Sequence, residues 1–176
     1  HQDLSYRRNS IDRVKTGIPG LDEMLCGGFL PQTANLVEGA PGTGKTTLGM
    51  QFIYHGIVAC GQPGLILTFE QFPQQYYSDA ASFGWDFRQL ERDGKLRVVM
   101  TSPEVSRSDL EQVGGRIERL VGGVGAIRLL VGGRSHFAGR SGGSNSLGFY
   151  VLGVVNWFET EVVTSVIIGM RSSVWW

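Results

Sequence analysis

Glycines spaced around a lysine and two threonines form the most informative stretch of the sequence, GAPGTGKTT at residues 39–47. It contains the pattern G-x-x-x-x-G-K-(S or T), in which glycines let the backbone curl and point successive N–H groups at phosphate oxygens. The lysine brings an ammonium group to the outer phosphates, and the hydroxyl after it can be a ligand of Mg²⁺. The residues predicted to form this phosphate-binding loop are Gly39, Ala40, Pro41, Gly42, Thr43, Gly44, Lys45, Thr46 and Thr47, with Lys45 also catalytic and Thr46 also the metal ligand.

A second candidate for chemistry is Glu70, which follows an apolar run at residues 64–69. A carboxylate just beyond a parallel strand faces the crevice where α/β proteins bind their ligands. There Glu70 could orient or deprotonate an attacking water molecule. The alternative is a solvated loop carboxylate. Its neighbour Gln71 is neutral, so it can position water but cannot accept a proton.

These residues need a scaffold, and the hydrophobic pattern predicts one. The predicted strands are residues 34–38, 64–69, 96–100, 126–131 and 162–168, and the predicted helices are residues 46–59, 73–83, 108–121 and 147–158. Strands that alternate with helices indicate an α/β fold with a mostly parallel sheet covered on both faces. The glycine- and serine-rich residues 132–148 are predicted to be a loop. Residues 1–13 are expected to be a flexible lead-in to one domain at residues 14–176.

The composition narrows the class of protein. A hydrophobic share of 41%, a mean hydropathy of −0.03 and 16 basic against 16 acidic residues are typical of a soluble domain without global attraction to nucleic acid or anionic lipid. The longest apolar stretch, residues 147–158, is too short to span a bilayer, so no membrane association is expected. Cys26 and Cys60 show no metal-binding spacing, which favours buried, reduced cysteines and a cytoplasmic location.

Several motifs resemble the KaiC-type branch of the RecA-like ATPases. RVKTGIPGLDEMLCGGF at residues 13–29 is similar to the segment by which that branch enters its core, and LTFEQFPQQ at residues 67–75 is similar to its next strand. ASFGWDF at residues 81–87 also matches, whereas the likeness weakens after about residue 121. The resemblance implies a RecA-like core, ATP and Mg²⁺ as cofactors, and a ring of identical subunits, often a hexamer, with the sites between subunits. It also implies that Glu70 is the general base.

The sequence departs from this family at the fourth predicted strand. AIRLLVGG places Gly132 where the resemblance implies an aspartate that holds Mg²⁺ or its water shell. We therefore expect ATP binding to persist and hydrolysis to be slow or absent. The family also has strands beyond the position of Trp176, so residues 14–176 are expected to be a C-terminally incomplete domain.

Several functions stay open on the sequence alone. The leading hypothesis is a Mg²⁺-dependent ATPase that uses Lys45 and Glu70. The alternatives are a non-hydrolysing, ATP-dependent interaction module with a protein partner, or a serine/threonine autokinase of the circadian clock type, which rests on the resemblance. DNA binding through Arg134 and Arg140 is the weakest hypothesis, because no basic stripe accompanies them. Phe83 and Trp85 could border the nucleotide base, but they are expected in the core because aromatic side chains bury large areas.

Overall fold

The computed structural model of the chain describes residues 12–69, 71–101, 116–132 and 163–170. Helices and strands alternate along these ranges. The helices are α1 (Pro19–Met24), α2 (Lys45–Cys60), α3 (Pro73–Ser82), α4 (Phe87–Arg92) and α5 (Arg116–Val124). The strands are β1 (Ala34–Gly39), β2 (Gly64–Thr68), β3 (Leu96–Met100), β4 (Arg128–Gly132) and β5 (Thr164–Met170).

The five strands form one sheet in the order β1-β5-β4-β2-β3, and every neighbouring pair is parallel. Parallel neighbours need crossover connections, and helices provide those that the structure describes. The predicted α/β fold with a parallel sheet is confirmed. Because all strands run the same way, their carboxyl ends lie along one edge, which we call the C-edge.

Side chains alternate between two apolar clusters, one on each face of the sheet. Ile66, Leu130 and Val166 point toward α2, α3 and α4, whereas Leu67 and Leu129 point toward Val121 of α5. β2 and β4 are buried along their whole length, and their central residues are the apolar runs LIL and LLV. The sheet is a rigid platform for the loops at its C-edge.

Most of the predicted elements are observed, with small shifts at their ends. β3 has the predicted bounds, and β5 begins and ends two residues later than predicted. Gly132 belongs to β4 and not to a loop, because it pairs with Thr68 and its carbonyl accepts the Phe69 N–H at 3.0 Å. The short helices α1 and α4 were not predicted. The predicted helix at residues 147–158 lies outside the described residues, as does the start of the one predicted at 108–121.

Two expectations about burial were wrong. Cys26 and Cys60 are both exposed, since each lies at the end of a helix and not inside the sheet packing. Phe83 is 52% exposed and stacks on the partly buried Trp85, with ring centroids 4.9 Å apart. In the described ranges, no helix is long and apolar enough to cross a membrane.

Candidate functional site

The loop between β1 and α2 contains left-handed backbone conformations that glycine adopts easily. Gly42 has φ of 79°, and Gly44, the residue that precedes α2, has φ of 88°. Both values lie in the left-handed region that glycine adopts without the steric cost of a side chain. The loop is exposed from Ala40 to Gly44, so its inner surface is open to a ligand.

The hydrogen-bond donors of this loop are concentrated at the beginning of α2. The first helical bond runs from the Leu48 N–H to the Gly44 carbonyl at 2.9 Å. Within the described part of the chain, the amides of Lys45, Thr46 and Thr47 therefore have no acceptor. Such free amides, at the positive end of the helix dipole, form an arrangement that binds anions.

The Lys45 ammonium lies against the backbone at the start of the loop. Its Nζ donates to the carbonyls of Gly39 at 2.7 Å and Ala40 at 2.8 Å. An ammonium group has three donors, so one remains for an anion while two keep the side chain in place. These contacts hold a positive charge at the start of the loop that leads into α2.

Two threonines in the loop have different surroundings. The Thr43 hydroxyl donates to the Ala40 carbonyl at 2.8 Å and so closes the turn. The Thr46 hydroxyl is half-buried and makes no hydrogen bond within the ranges that the structure describes. Its lone pairs are therefore available, and the predicted role of Thr46 as a metal ligand stays a prediction. Among the described residues, no group of three or more His, Cys, Asp or Glu could hold a metal ion.

The C-edge brings the loop close to the ends of the other strands. Gly39 of β1 pairs with Met170 of β5, and Gly132 of β4 pairs with Thr68 of β2. The Thr68 hydroxyl then accepts the Gln71 N–H at 3.2 Å and donates to the Gln71 carbonyl at 2.9 Å, which fixes the turn after β2. Glu70 is outside the described residues, so its role as general base stays a prediction.

Tyr76 is a residue at this edge that the sequence analysis missed. It belongs to α3, is 1% exposed, and its hydroxyl lies near the side chain of Thr68. Burial raises the pKa of Tyr76, and the polar side chain of Thr68 opposes this effect only in part. The sequence contained one signal for this residue, which was a tyrosine on the apolar face of a predicted helix. A buried tyrosine hydroxyl needs a polar partner, so such a residue is expected to lie near other polar groups.

Comparisons with known proteins agree with this geometry. The family model described as "ATPase: KaiC" matches residues 14–174. UPF0273 protein MK0039 of Methanopyrus kandleri is 47% identical over 90 residues, 51% of this chain and 35% of that protein. The circadian clock oscillator protein KaiC of Picosynechococcus is 45% identical over 94 residues, 53% of this chain and 18% of that protein. The chain thus matches about a third or less of the length of these two relatives.

A solved structure extends the likeness to nearly the whole chain. The KaiC-like protein PH0186 of Pyrococcus horikoshii superimposes with a TM-score of 0.78 at 34% identity, covering 92% of this chain and 71% of that one. The resemblance and the RecA-like fold inferred from the sequence are confirmed. Because the family model extends over nearly all of the 176 residues, the chain belongs to the family of KaiC ATPases.

Proposed function

We propose that this chain binds ATP with Mg²⁺ in the loop at residues 39–47 and is an ATPase domain of low turnover. The observation that carries the proposal is that one exposed loop and the first turn of the helix after it present three free amides and the Lys45 ammonium. Donors fixed in this way need no rearrangement when they meet a polyphosphate. The family to which the chain belongs supports ATP as the nucleotide.

Each proposed role uses the chemistry of one residue. Lys45 places its charge against the β- and γ-phosphates, and Thr46 offers its hydroxyl to the metal ion. Glu70, two residues beyond the end of β2, orients or deprotonates the attacking water. When bound, Mg²⁺ supplies charge neutralisation at the phosphate oxygens. The other residues of the loop at residues 39–47 surround the phosphates in this proposal.

Gly132 favours a second candidate function. β4 ends at the C-edge in a residue without a side chain, so this strand offers the metal ion no carboxylate there. A module that binds ATP to change its interactions with a protein partner needs no rapid turnover. A clock-type kinase function is a weaker candidate, because it rests on the name of relatives such as the Picosynechococcus protein.

Calorimetric titration with ATP and Mg²⁺ tests binding, and Lys45→Ala is the critical variant. Charged hydrogen bonds contribute about 1.5–3 kcal/mol, so we expect Lys45→Ala to weaken binding by roughly tenfold to a hundredfold. Lys95→Ala is the matched control, since Lys95 is exposed and lies beyond α4, outside the loop. Equal affinity of the parent and Lys45→Ala would contradict the proposal.

Phosphate release measured on the same samples separates the candidate functions. Slow release that disappears in Glu70→Gln supports the ATPase. ATP binding with equal release in the parent and Glu70→Gln supports the non-hydrolysing module. With γ-labelled ATP, label that stays on the protein instead of appearing as free phosphate supports the kinase.

A further inference from the structure

The space beside the end of β4 is occupied by a side chain from α3. A Cβ atom built on Gly132 would overlap the hydroxyl oxygen of Tyr76, whereas the ring carbon that carries this oxygen would lie 3.5 Å away, at an ordinary contact distance. One oxygen atom therefore accounts for the exclusion of a side chain at position 132. The backbone of Gly132 is in regular strand pairing, so its φ does not require glycine.

Tyr76 cannot readily move aside. Its ring is 1% exposed and belongs to the same apolar cluster as Ala80 and Phe87. Its hydroxyl also lies near Thr68, which is fully buried and so leaves little room for the ring to shift. Close-packed interiors transmit such an overlap as strain, because few empty spaces are available to absorb it.

The group that Tyr76 brings to this position is uncharged. A tyrosine has an ordinary pKa near 10, and burial moves the pKa of Tyr76 further up, so its hydroxyl stays neutral at physiological pH. A carboxylate at the same point would attract a divalent cation and its water shell. A neutral phenol lacks that attraction.

We infer that Tyr76 determines the metal preference of the nucleotide site by keeping position 132 without a side chain and therefore without an acidic group. This inference rests on the proposed function. The site then binds ATP with little dependence on Mg²⁺, because this strand end contributes no negative charge for the ion. Replacing both residues together should restore that dependence, whereas replacing Gly132 alone should first damage the packing.

Thermal unfolding of a double-mutant cycle tests the contact without any nucleotide. We expect Gly132→Ala to lower Tm by at least about 3 °C, because the new methyl group overlaps the Tyr76 oxygen. In the Tyr76→Phe background the overlapping atom is absent, so Gly132→Ala should lower Tm by less than about 1 °C. Equal losses of Tm in the two backgrounds would overturn the inference.

ATP titrations in Mg²⁺ and in EDTA test the metal preference. We expect the affinities of the parent in the two conditions to differ by less than about threefold, and those of the Tyr76→Leu/Gly132→Asp variant to differ by at least about tenfold. Tyr76→Leu alone is the matched control and should behave like the parent. A parent that already shows a tenfold difference, or a double variant that shows none, would refute the inference.

The two measurements also distinguish the inference from the proposed function. If no form binds ATP, the proposed function is wrong, and the Tm cycle still decides whether Tyr76 excludes a side chain at position 132. If the parent binds ATP and its affinity depends strongly on Mg²⁺, the proposed function stands and the inference fails.

Discussion

Arg128 is the most deeply buried cation that the structure describes, at 1% exposure. Its guanidinium donates to the carbonyls of Lys15 at 2.6 Å and Phe52 at 2.9 Å, and to Gln62 Oε1 at 2.8 Å. It also lies 4.6 Å from the centre of the Phe52 ring. These contacts replace the hydration that the charge loses when it is buried. They also connect the segment that contains Lys15 with α2 and β4.

The charge of Arg128 also affects His55 of α2. The pKa of His55 is lowered, first by burial and then by Arg128, while Asp22 acts in the opposite direction. The folded protein therefore favours the neutral imidazole. The contribution of His55 to stability is fully present above the pKa of about 6.5 that it has in the unfolded chain. This contribution is lost as the pH falls through the lower pKa that His55 has in the folded protein.

We expect the Tm of the parent to fall as the pH is lowered from 7.5 to 5.5, and to fall less in His55→Gln, which has no imidazole to protonate. Scanning calorimetry at several pH values measures both slopes. The comparison at pH 7.5, where the imidazole is neutral in both states, gives the packing cost of the substitution alone. Identical slopes for the parent and the variant would show that His55 does not titrate differently on folding.

At the scale of elements, α2 packs closely against the sheet because Gly49 faces β4. A Cβ on Gly49 would collide with one methyl group of Leu130 and come within 3.3 Å of Ile168 Cδ1. Both are core residues, so neither side chain can retreat into solvent. The close approach fixes the position of the helix whose first turn carries the loop donors.

We expect Gly49→Ala to reduce the free energy of unfolding by about 1–3 kcal/mol, as overpacking of a core does. Gly122→Ala in α5 is the matched control, since nothing lies within 4 Å of its would-be Cβ. Alanine in an open helical position should stabilise the protein by about 0.5–1 kcal/mol. Denaturant titration measures both changes, and a loss of the same size in the two variants would contradict the packing argument.

The elements predicted well from the sequence are those whose signal is local. β2 and β4 contain the apolar runs LIL and LLV, and the loop before α2 is defined by adjacent residues of fixed type. The helix α4 was missed because it has six residues and buries Phe87 alone, too little for a periodic pattern. Its start is marked instead by Asp86, whose carboxylate accepts the Gln89 N–H at 3.0 Å.

The part of the site that the sequence could not predict depends on contacts between distant segments. Glycine content alone placed Gly132 in a loop, whereas pairing with β2 makes it part of the sheet. Tyr76 lies near Gly132 because α3 packs on β4. The spacing of residues along the chain does not predict such a contact between distant segments. The sequence indicated the missing acid at position 132 but not the side chain that fills its space.

At the scale of the whole molecule, the exposed loop at residues 40–44 is available to a second copy of the chain. The resemblance predicts rings with nucleotide between subunits, and β1 is an edge strand of the described sheet. A ligand held between two copies stabilises their association by mass action. Assembly should therefore depend on ATP and on the residues that bind it.

We expect ATP to increase the mass of the parent protein in static light scattering, and to leave the mass of Lys45→Ala unchanged. Lys95→Ala should assemble as the parent does, since its loop is intact. An increase that occurs equally in Lys45→Ala would separate assembly from nucleotide binding at this loop. No increase in the parent at saturating ATP would contradict a nucleotide-dependent ring.

The contact between Tyr76 and Gly132 limits how this protein can evolve. A single change from glycine to aspartate at position 132 would place its Cβ on the phenol oxygen, so this variant is expected to be unstable. A mutational path that changes the tyrosine first avoids the overlap. A screen of single substitutions would therefore overlook an acidic side chain at this position that a double substitution could supply.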